Sequence, residues 1–390
     1  MTVSSPKLLS VADIIEEAKV GGPQIRLLQV AAYLNREIRT VVIMPEENSA
    51  EFQQRCKELG VPFQTVSLSR ITKDWRQAFR YLWHTPWEIL QLVRLFRQER
   101  FDLVHVSGGS WQYKGAIAGK LAGIPVIWHL NDTYMPVFLR RCFALLSGLA
   151  TAYAYASERT KTYYRPYVKT DRFEYTIPAP VDTRRFDPEI TPAPDPLLDE
   201  LEGKLVIGTV ANPSPVKDLE TFLKMAGKLQ KSASASLAFV IIGQIYNTQQ
   251  HYFSNLKRLS ADLNLKVYWA GSRQDVVPLL SRFDVYVCSS KAESSPISVW
   301  EAMSMAKPIV STDVGDVPIY VRNDENGFIV PVGDADQLAV RVQQLLEDEP
   351  MRKRFGTRSR LIAQQNLDIS ICGEKHLEAY QQLHAHDQKD

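Results

Sequence analysis

What most constrains the fold of this chain is a pattern that occurs twice: short apolar runs of strand length alternating with segments long enough for a helix. In the first half the runs are Leu8–Ala12, Thr40–Met44, Phe63–Leu68, Leu103–Val106 and Val126–Leu130. In the second half they are Leu205–Val210, Phe239–Gly243, Val267–Gly271, Val285–Cys288, Ile309–Ser311 and Phe328–Pro331. Runs that are apolar at nearly every position belong to strands covered on both faces, and the intervening helices supply the crossovers that parallel strands require. The pattern predicts an α/β protein of two Rossmann-like, doubly wound domains facing across a cleft. Between the halves, Asp187–Gly203 contains Pro188, Pro192, Pro194 and Pro196, which reads as a linker. The expected division is 1–186, a linker at 187–203, a second domain at 204–365, and a helical tail at 366–390 packing back on the first domain.

Composition narrows the class without choosing a function. The 390 residues are 45% apolar and 23% charged, as in soluble globular proteins, and suffice for two or three domains. A formal net charge of +2 gives no wholesale attraction to nucleic acid. No apolar stretch is long enough for a membrane span, and the start MTVSSPKLL lacks the apolar core of a signal peptide, so the cytoplasm is the expected location. Cys56, Cys142, Cys288 and Cys372 are scattered, which favours reduced, mostly buried thiols over a metal site or disulfide framework.

Ligands of doubly wound sheets bind beyond the carboxyl ends of the strands, and the motifs fall there. After Val285–Cys288 comes SSKAESSPISVWEAMSMAKPIVST, in which Glu293 and Glu301 are separated by seven residues around a helix start. Pro296, itself without an N–H, suits a first helical turn, and the helix start at Ser295, Pro296 and Ile297 brings neighbouring N–H groups and partial positive charge to an anion such as a phosphate. The segment resembles the Glu, seven residues, Glu signature of retaining GT-B glycosyltransferases of the group 1, family four type, including its Glu-Ser-x-Pro and Glu-Ala-Met pieces. That resemblance implies that Glu293 positions the donor sugar and balances an oxocarbenium-like centre, while Glu301 holds the ribose.

Other segments extend the resemblance over nearly the whole chain. In IGTVANPSPVKDLETF, Lys217 precedes a helix where relatives hold the diphosphate with an arginine and a lysine; Asn212 stands at the arginine position, and Arg273 is a candidate replacement cation. Gly21-Gly22 before a helix resembles the pair that touches the donor phosphates, since glycine permits close backbone approach. In WHLNDTYM, Asn131 and Asp132 occupy the positions of a His-Asp pair whose histidine reaches the transferred sugar, and His129 lies two residues earlier on the same strand face. Gly108, Gly109 and Ser110 follow another strand and, with Asp132, are candidates to border the acceptor. Ala306 occupies a usual glycine at a helix end, and Ile319 replaces a usual glutamate.

The resulting expectation is an enzyme that moves a hexose-type unit from a UDP- or GDP-sugar to a glycan, lipid-linked or small-molecule acceptor with retention at the anomeric carbon. No cofactor and no metal are expected, because no Asp-x-Asp stands at a strand end and Lys217 with helix dipoles can replace an ion's charge. A sugar-nucleotide epimerase or phosphorylase on the same fold, or a non-catalytic nucleotide-sugar-binding protein, are the alternative readings. Residues 70–100 interleave Arg70, Lys73, Arg76, Arg80, Arg94, Arg97 and Arg100 with Trp75, Phe79, Trp83, Trp87 and Phe96, which admits peripheral contact with the inner face of a cell membrane.

Overall fold

A computed structural model describes residues 8–69, 75–232 and 235–388, with the backbone alone at 75–80 and 82. The chain forms two compact units, Met1–Pro180 with Ile369–Asp390, and Val181–Asp368.

The first unit runs β1 (Leu9–Ile14), α1 (Gly22–Tyr33), β2 (Ile38–Pro45), α2 (Ala50–Glu58), β3 (Phe63–Val66), α3 (Trp75–Glu99), β4 (Leu103–Val106), α4 (Lys114–Ala122), β5 (Val126–Leu130), α5 (Val137–Leu146), β6 (Ala152–Tyr155), α6 (Glu158–Tyr164) and β7 (Phe173–Thr176). Its seven strands are all parallel in the order β3-β2-β1-β4-β5-β6-β7. β1 therefore separates two runs of crossovers in opposite directions, and the loops after β1 and β4 part at that point. One face of the sheet packs on α3 to α6, with Leu92, Phe96, Trp128, Phe143 and Tyr164 fully buried or nearly so. β6 and β7 go beyond the strands expected from sequence. β6 is a buried AYAY run whose small residues weaken the apolar signal, and β7 is a half-buried edge strand.

The second unit comprises α7 (Leu197–Glu200), β8 (Leu205–Val210), α8 (Leu219–Ser232), β9 (Leu237–Ile242), α9 (Gln250–Asp262), β10 (Val267–Gly271), α10 (Val277–Ser281), β11 (Val285–Cys288), α11 (Ile297–Ser304), β12 (Ile309–Thr312), α12 (Val317–Tyr320), β13 (Gly327–Val330), α13 (Ala335–Glu347) and α14 (Glu349–Asn366). Its six parallel strands run β10-β9-β8-β11-β12-β13, so the reversal here lies between β8 and β11. Gly208 in β8 is required by packing: a Cβ there would lie 2.1 Å from the Phe283 ring.

The Pro-rich stretch at 187–203 is packed onto the second unit rather than strung out as a linker. Leu201 is fully buried in its core, Asp187 pairs with Arg360 at 2.7 Å, and Asp195 pairs with Arg273 at 2.9 Å. α15 (Ile369–Asp387) belongs to the first unit and crosses α1 at Gly373, where a Cβ would lie 2.3 Å from the Tyr33 ring.

Two local features carry measurable energy. α11 ends in a Schellman pattern, with Ala306 N–H donating to Met303 and Lys307 N–H to Ala302, and this puts Ala306 at φ +54°. A left-handed alanine costs roughly 1–2 kcal/mol, partly offset by the extra unfolded-state entropy of glycine. Ala306→Gly should therefore raise stability by about 0.5–1 kcal/mol in urea unfolding.

Lys114 is the second. Its side chain is fully buried, with Nζ 2.5 Å from Glu88, 3.8 Å from Glu16 and 4.0 Å from the centre of the Tyr81 ring. It thereby ties α4 to α3 and to the loop after β1. Lys114→Ala would strand two buried carboxylates, and a loss of about 3–5 kcal/mol is expected by denaturant titration.

Candidate functional site

In the second unit the reversal between β8 and β11 brings together the loops at 211–218 and 289–296. Ser289 Oγ donates to the Lys217 carbonyl at 3.0 Å, and Lys291 N–H donates to the Val216 carbonyl at 2.7 Å. Lys291 Nζ reaches Asp218 at 3.1 Å, which in turn accepts from Thr221 Oγ1 in α8. On this stitched platform Lys217 Nζ lies 2.5 Å from Glu293 Oε1, which also accepts from Ser290 Oγ at 2.7 Å. Burial disfavours the Lys217 charge, but the Glu293 carboxylate outweighs it and the net shift is upward, so the ammonium persists.

α11 starts directly behind this pair. Pro296 is the residue before the helix, one position earlier than its expected place within the first turn, and Ile297 and Ser298 present N–H groups with no intrahelical acceptor. Ser295 is placed by Trp300, whose Nε1 donates to its Oγ at 3.1 Å. Gly315, at φ +50°, lies so near this loop that a Cβ would come within 2.2 Å of the Ser294 carbonyl. A cation, a carboxylate and a helix N-terminus thus share one small platform, suited to an anion joined to a polar group.

Glu301 sits half-buried in α11, and among the described residues its carboxylate makes no hydrogen bond. Burial pushes its pKa to about 7, with Arg185 opposing and Asp275 adding to the rise; Arg185 and Asp275 pair with each other at 3.1 Å. Two other expected donor residues have internal employment. Asn212 Oδ1 accepts from the Gln244 N–H at 2.8 Å, fixing the loop after β8 to the end of β9. Arg273, the candidate replacement cation, pairs with Asp195, also donates to the Ala270 carbonyl, and has no ion pair or hydrogen bond with Glu293 or Asn212.

In the first unit the loops after β1, β4 and β5 carry the remaining candidates. Gly21 precedes α1 and Gly22 begins it. Neither has a positive φ, and a Cβ on Gly22 would meet nothing within 4 Å, so the space beside this backbone is open. Gly109, at φ +86°, is crowded instead: a Cβ would lie 2.8 Å from Asn131 Oδ1 and 3.0 Å from Asp132 Oδ2. The space above Gly108 is filled by the Gln112 side chain. Asn131 Nδ2 donates to the Ser107 carbonyl at 3.0 Å, and Asp132 accepts from Trp111 Nε1 at 3.1 Å and from the Tyr164 hydroxyl. Burial lifts the Asp132 carboxyl to about 6. Ser110 is buried beside the same tyrosine.

His129 is packed in the core, its side chain fully buried. It stacks with His105 at 5.4 Å and His376 at 6.0 Å, accepts or donates through Nδ1 to His105 at 3.2 Å, and leaves Nε2 without a partner. Burial, then the Arg26 charge, holds these imidazoles well below their usual range and therefore neutral. Asp13 completes the cluster, receiving Ser107 Oγ at 2.5 Å, and burial lifts its carboxyl to about 7. Sequence reasoning missed His105, His376, Ser290 and Arg185. Only Ser290, a hydroxyl three residues before Glu293, left a local signal. Among the described residues no group of three or more His, Cys, Asp or Glu side chains could hold a metal ion.

The comparisons with known proteins divide along the same line as the fold. Residues 198–362 match the family model for glycosyl transferases group 1, and residues 20–185 match that for glycosyltransferase family 4. The chain is 23% identical over 284 residues to an Escherichia coli UDP-Gal:alpha-D-GlcNAc-diphosphoundecaprenol alpha-1,3-galactosyltransferase, covering 67% of this chain and 70% of that one. It is 21% identical over 380 residues to a Campylobacter jejuni N,N'-diacetylbacillosaminyl-diphospho-undecaprenol alpha-1,3-N-acetylgalactosaminyltransferase, covering 92% and 95%. Among solved structures, Anabaena HepE in complex with UDP-glucose superposes with a TM-score of 0.83 at 18% identity, covering 96% of this chain and 100% of that one. The fold is that of GT-B glycosyltransferases. The chain belongs to the group 1 glycosyltransferases.

The Glu301 environment sets a pH dependence. A carboxylate accepts hydrogen bonds from a pair of hydroxyls, whereas its protonated form must donate one. A ligand that presents paired hydroxyls to Glu301 should therefore lose affinity as pH drops through about 7, and calorimetric titration of Glu301→Gln should lose that part of the pH dependence. Stability should move the other way. Between its ordinary 4.5 and about 7 the folded chain holds a proton that the unfolded chain has released, so stability declines as pH rises across this window. Glu301→Gln should flatten the decline.

Proposed function

We propose that the protein transfers a hexose-type sugar from a UDP- or GDP-sugar to a lipid-linked or glycan acceptor, with retention of anomeric configuration. The observation that carries this reading is the Lys217–Glu293 pair, 2.5 Å apart beside the start of α11. In the reaction the bond between the anomeric carbon and the diphosphate oxygen breaks, and negative charge develops on the leaving phosphate. Lys217 and the N–H groups of Ile297 and Ser298 at the start of α11 stabilise that charge, and such preorganised donors are among the largest contributions to catalysis. Exchanging Glu293 for phosphate as its partner lets Lys217 serve both resting and bound states. Glu293 then faces the electron-deficient sugar ring, and Glu301 accepts from the ribose hydroxyls.

The acceptor hydroxyl attacks from the face the phosphate leaves, and its proton passes to a leaving phosphate oxygen, so atoms and charge balance without a covalent enzyme intermediate. The reaction proceeds without cofactor or metal, Lys217 and the helix dipole supplying the positive charge. Open space beside the Gly22 backbone supports contact with a phosphate, and the loops carrying Gly108–Ser110, Asn131 and Asp132 are read as the acceptor side. A lipid-linked acceptor is favoured by the relatives, two of which act on diphospho-undecaprenol-linked sugars by their names.

Lys217→Ala should lower kcat/KM about tenfold to a hundredfold or more, since a charge-assisted hydrogen bond contributes about 1.5–3 kcal/mol. Glu293→Gln should depress mainly kcat. Proton NMR of the first-formed product should show the donor's anomeric configuration, and excess EDTA should leave the rate unchanged. An inverted product would replace the same-face mechanism, and near wild-type turnover by folded Lys217→Ala would remove this lysine from it.

A further inference from the structure

Eight of the sixteen exposed large apolar side chains among the described residues lie between 83 and 145, led by Leu145 at 83%, Trp83 at 76%, Phe138 at 75% and Tyr134 at 71% exposure. They stand on or beside α3, α4 and α5, three successive helices covering one face of the first sheet. These helices form one surface. Arg97 of α3 donates to the Leu121 carbonyl of α4 at 2.8 Å, Tyr81 meets Tyr113 edge-on at 6.0 Å, and the turn Ser147–Leu149 links α5 to α4. On α5 the spacing of Phe138, Arg141 and Leu145 places all three on one outward stripe, while Phe143 turns inward against Trp128 and Tyr164.

Charge on this surface has one sign. α4 and α5 contain no acidic residue. The two glutamates of α3 are engaged, Glu88 buried against Lys114 and Glu99 paired with Arg39. The exposed charges are Arg94, Arg97, Lys120 and Arg141, none of which forms an ion pair among the described residues; the Arg94 guanidinium lies 5.8 Å from the centre of the Trp87 ring. Arg70 and Lys73, together with the side chains of Trp75, Arg76, Phe79 and Arg80, also expected to meet a membrane, lie outside the described residues. No helix among the described residues is long and apolar enough to cross a bilayer.

Exposed bulky apolar tips interleaved with cations that form no ion pair among the described residues, spread over three helices, match a layered partner that is anionic at its surface and apolar beneath. We propose that the α3–α4–α5 face docks on an anionic lipid bilayer. Trp83, Phe138 and Leu145 enter the boundary between headgroups and acyl chains, and Arg94, Arg97 and Arg141 meet lipid phosphates. The proposal rests on the reading of the acceptor as lipid-linked and gives that reading a surface. The segment leading into α5 contains Asn131 and Asp132, and Asp132 is clamped by Trp111 and Tyr164, so the docking helix and the acceptor loop are mechanically joined.

The test is sedimentation of the full chain with vesicles of phosphatidylcholine alone and of phosphatidylcholine mixed with phosphatidylglycerol. UDP affinity, circular dichroism and oligomeric state are followed in parallel. The wild type should bind the mixed vesicles, bind phosphatidylcholine weakly or not at all, and release as salt rises. Arg94→Gln and Arg141→Gln should each lower partitioning about fivefold, and Phe138→Ser combined with Leu145→Ser should abolish it while UDP affinity and the spectrum stay unchanged. Binding to neither vesicle, or equal binding to both, overturns the proposal. So does a wild-type dimer that binds no lipid and becomes monomeric in the Phe138/Leu145 variant, which would make this face a contact between copies. Vesicle binding without UDP binding would sustain the surface and strike at the donor reading alone.

Discussion

The structure depends on one topological constraint. A parallel strand cannot be joined to its neighbour by a tight turn, so every connection must cross the sheet, and a sheet extended in both directions has one place where successive crossovers diverge. In the first unit that place lies between β1 and β4, in the second between β8 and β11. Gly21 and Gly22 follow β1, and Ser107 to Ser110 follow β4; Lys217 follows β8, and Glu293 follows β11. The candidate residues are therefore gathered by the winding of each sheet, since their separation along the chain would otherwise keep them apart.

The two reversals are furnished differently. In the second unit the ionic groups are partly open: the Lys217 side chain is 28% exposed and that of Glu293 13%. Such a pair keeps its attraction without the full desolvation cost of a buried one. In the first unit the polar groups beneath the loops are sealed in, with Asp13, Arg26, His105, His129 and His376 all buried. They act through the backbone, because Ser107 is held by Asp13 and Asn131, and Gly109 is held by Trp128 Nε1 at 2.9 Å. One reversal carries a half-open ion pair, while the other uses buried polar groups to hold glycine-bearing loops in a fixed shape.

Particular residues show how far the sequence could be read. The strands β4, β5, β8 and β11 begin and end where their apolar runs do, because a strand buried on both faces leaves an uninterrupted signal. β6 escaped because alternating alanine and tyrosine dilutes that signal, and β7 because an edge strand is half exposed. Ala306 was legible as an anomaly before its φ of +54° was seen, since a helix end favours a residue without a Cβ. His129 and Asn131 share a period-two pattern, but the strand ends between them. His129 belongs to β5 and faces inward, whereas Asn131 belongs to the loop and reaches the Ser107 carbonyl.

The sequence by itself determined the class of fold, the two-fold repetition of its architecture and the family to which its motifs belong, because these are properties of local periodicity and of residues adjacent in the chain. Only the tertiary structure decided which side chains are available. Arg273 is drawn to Asp195 across 78 positions, Asn212 to Gln244 across 32, and the histidine stack is closed by His376 from α15, far from the strands it seals. The same holds for Leu121 on α4 and for Phe138 and Leu145 on α5, exposed apolar tips that look in sequence like core residues. A hydrogen bond, an ion pair or a buried ring depends on distance in space, and distance in space is set by the crossovers rather than by neighbours along the chain.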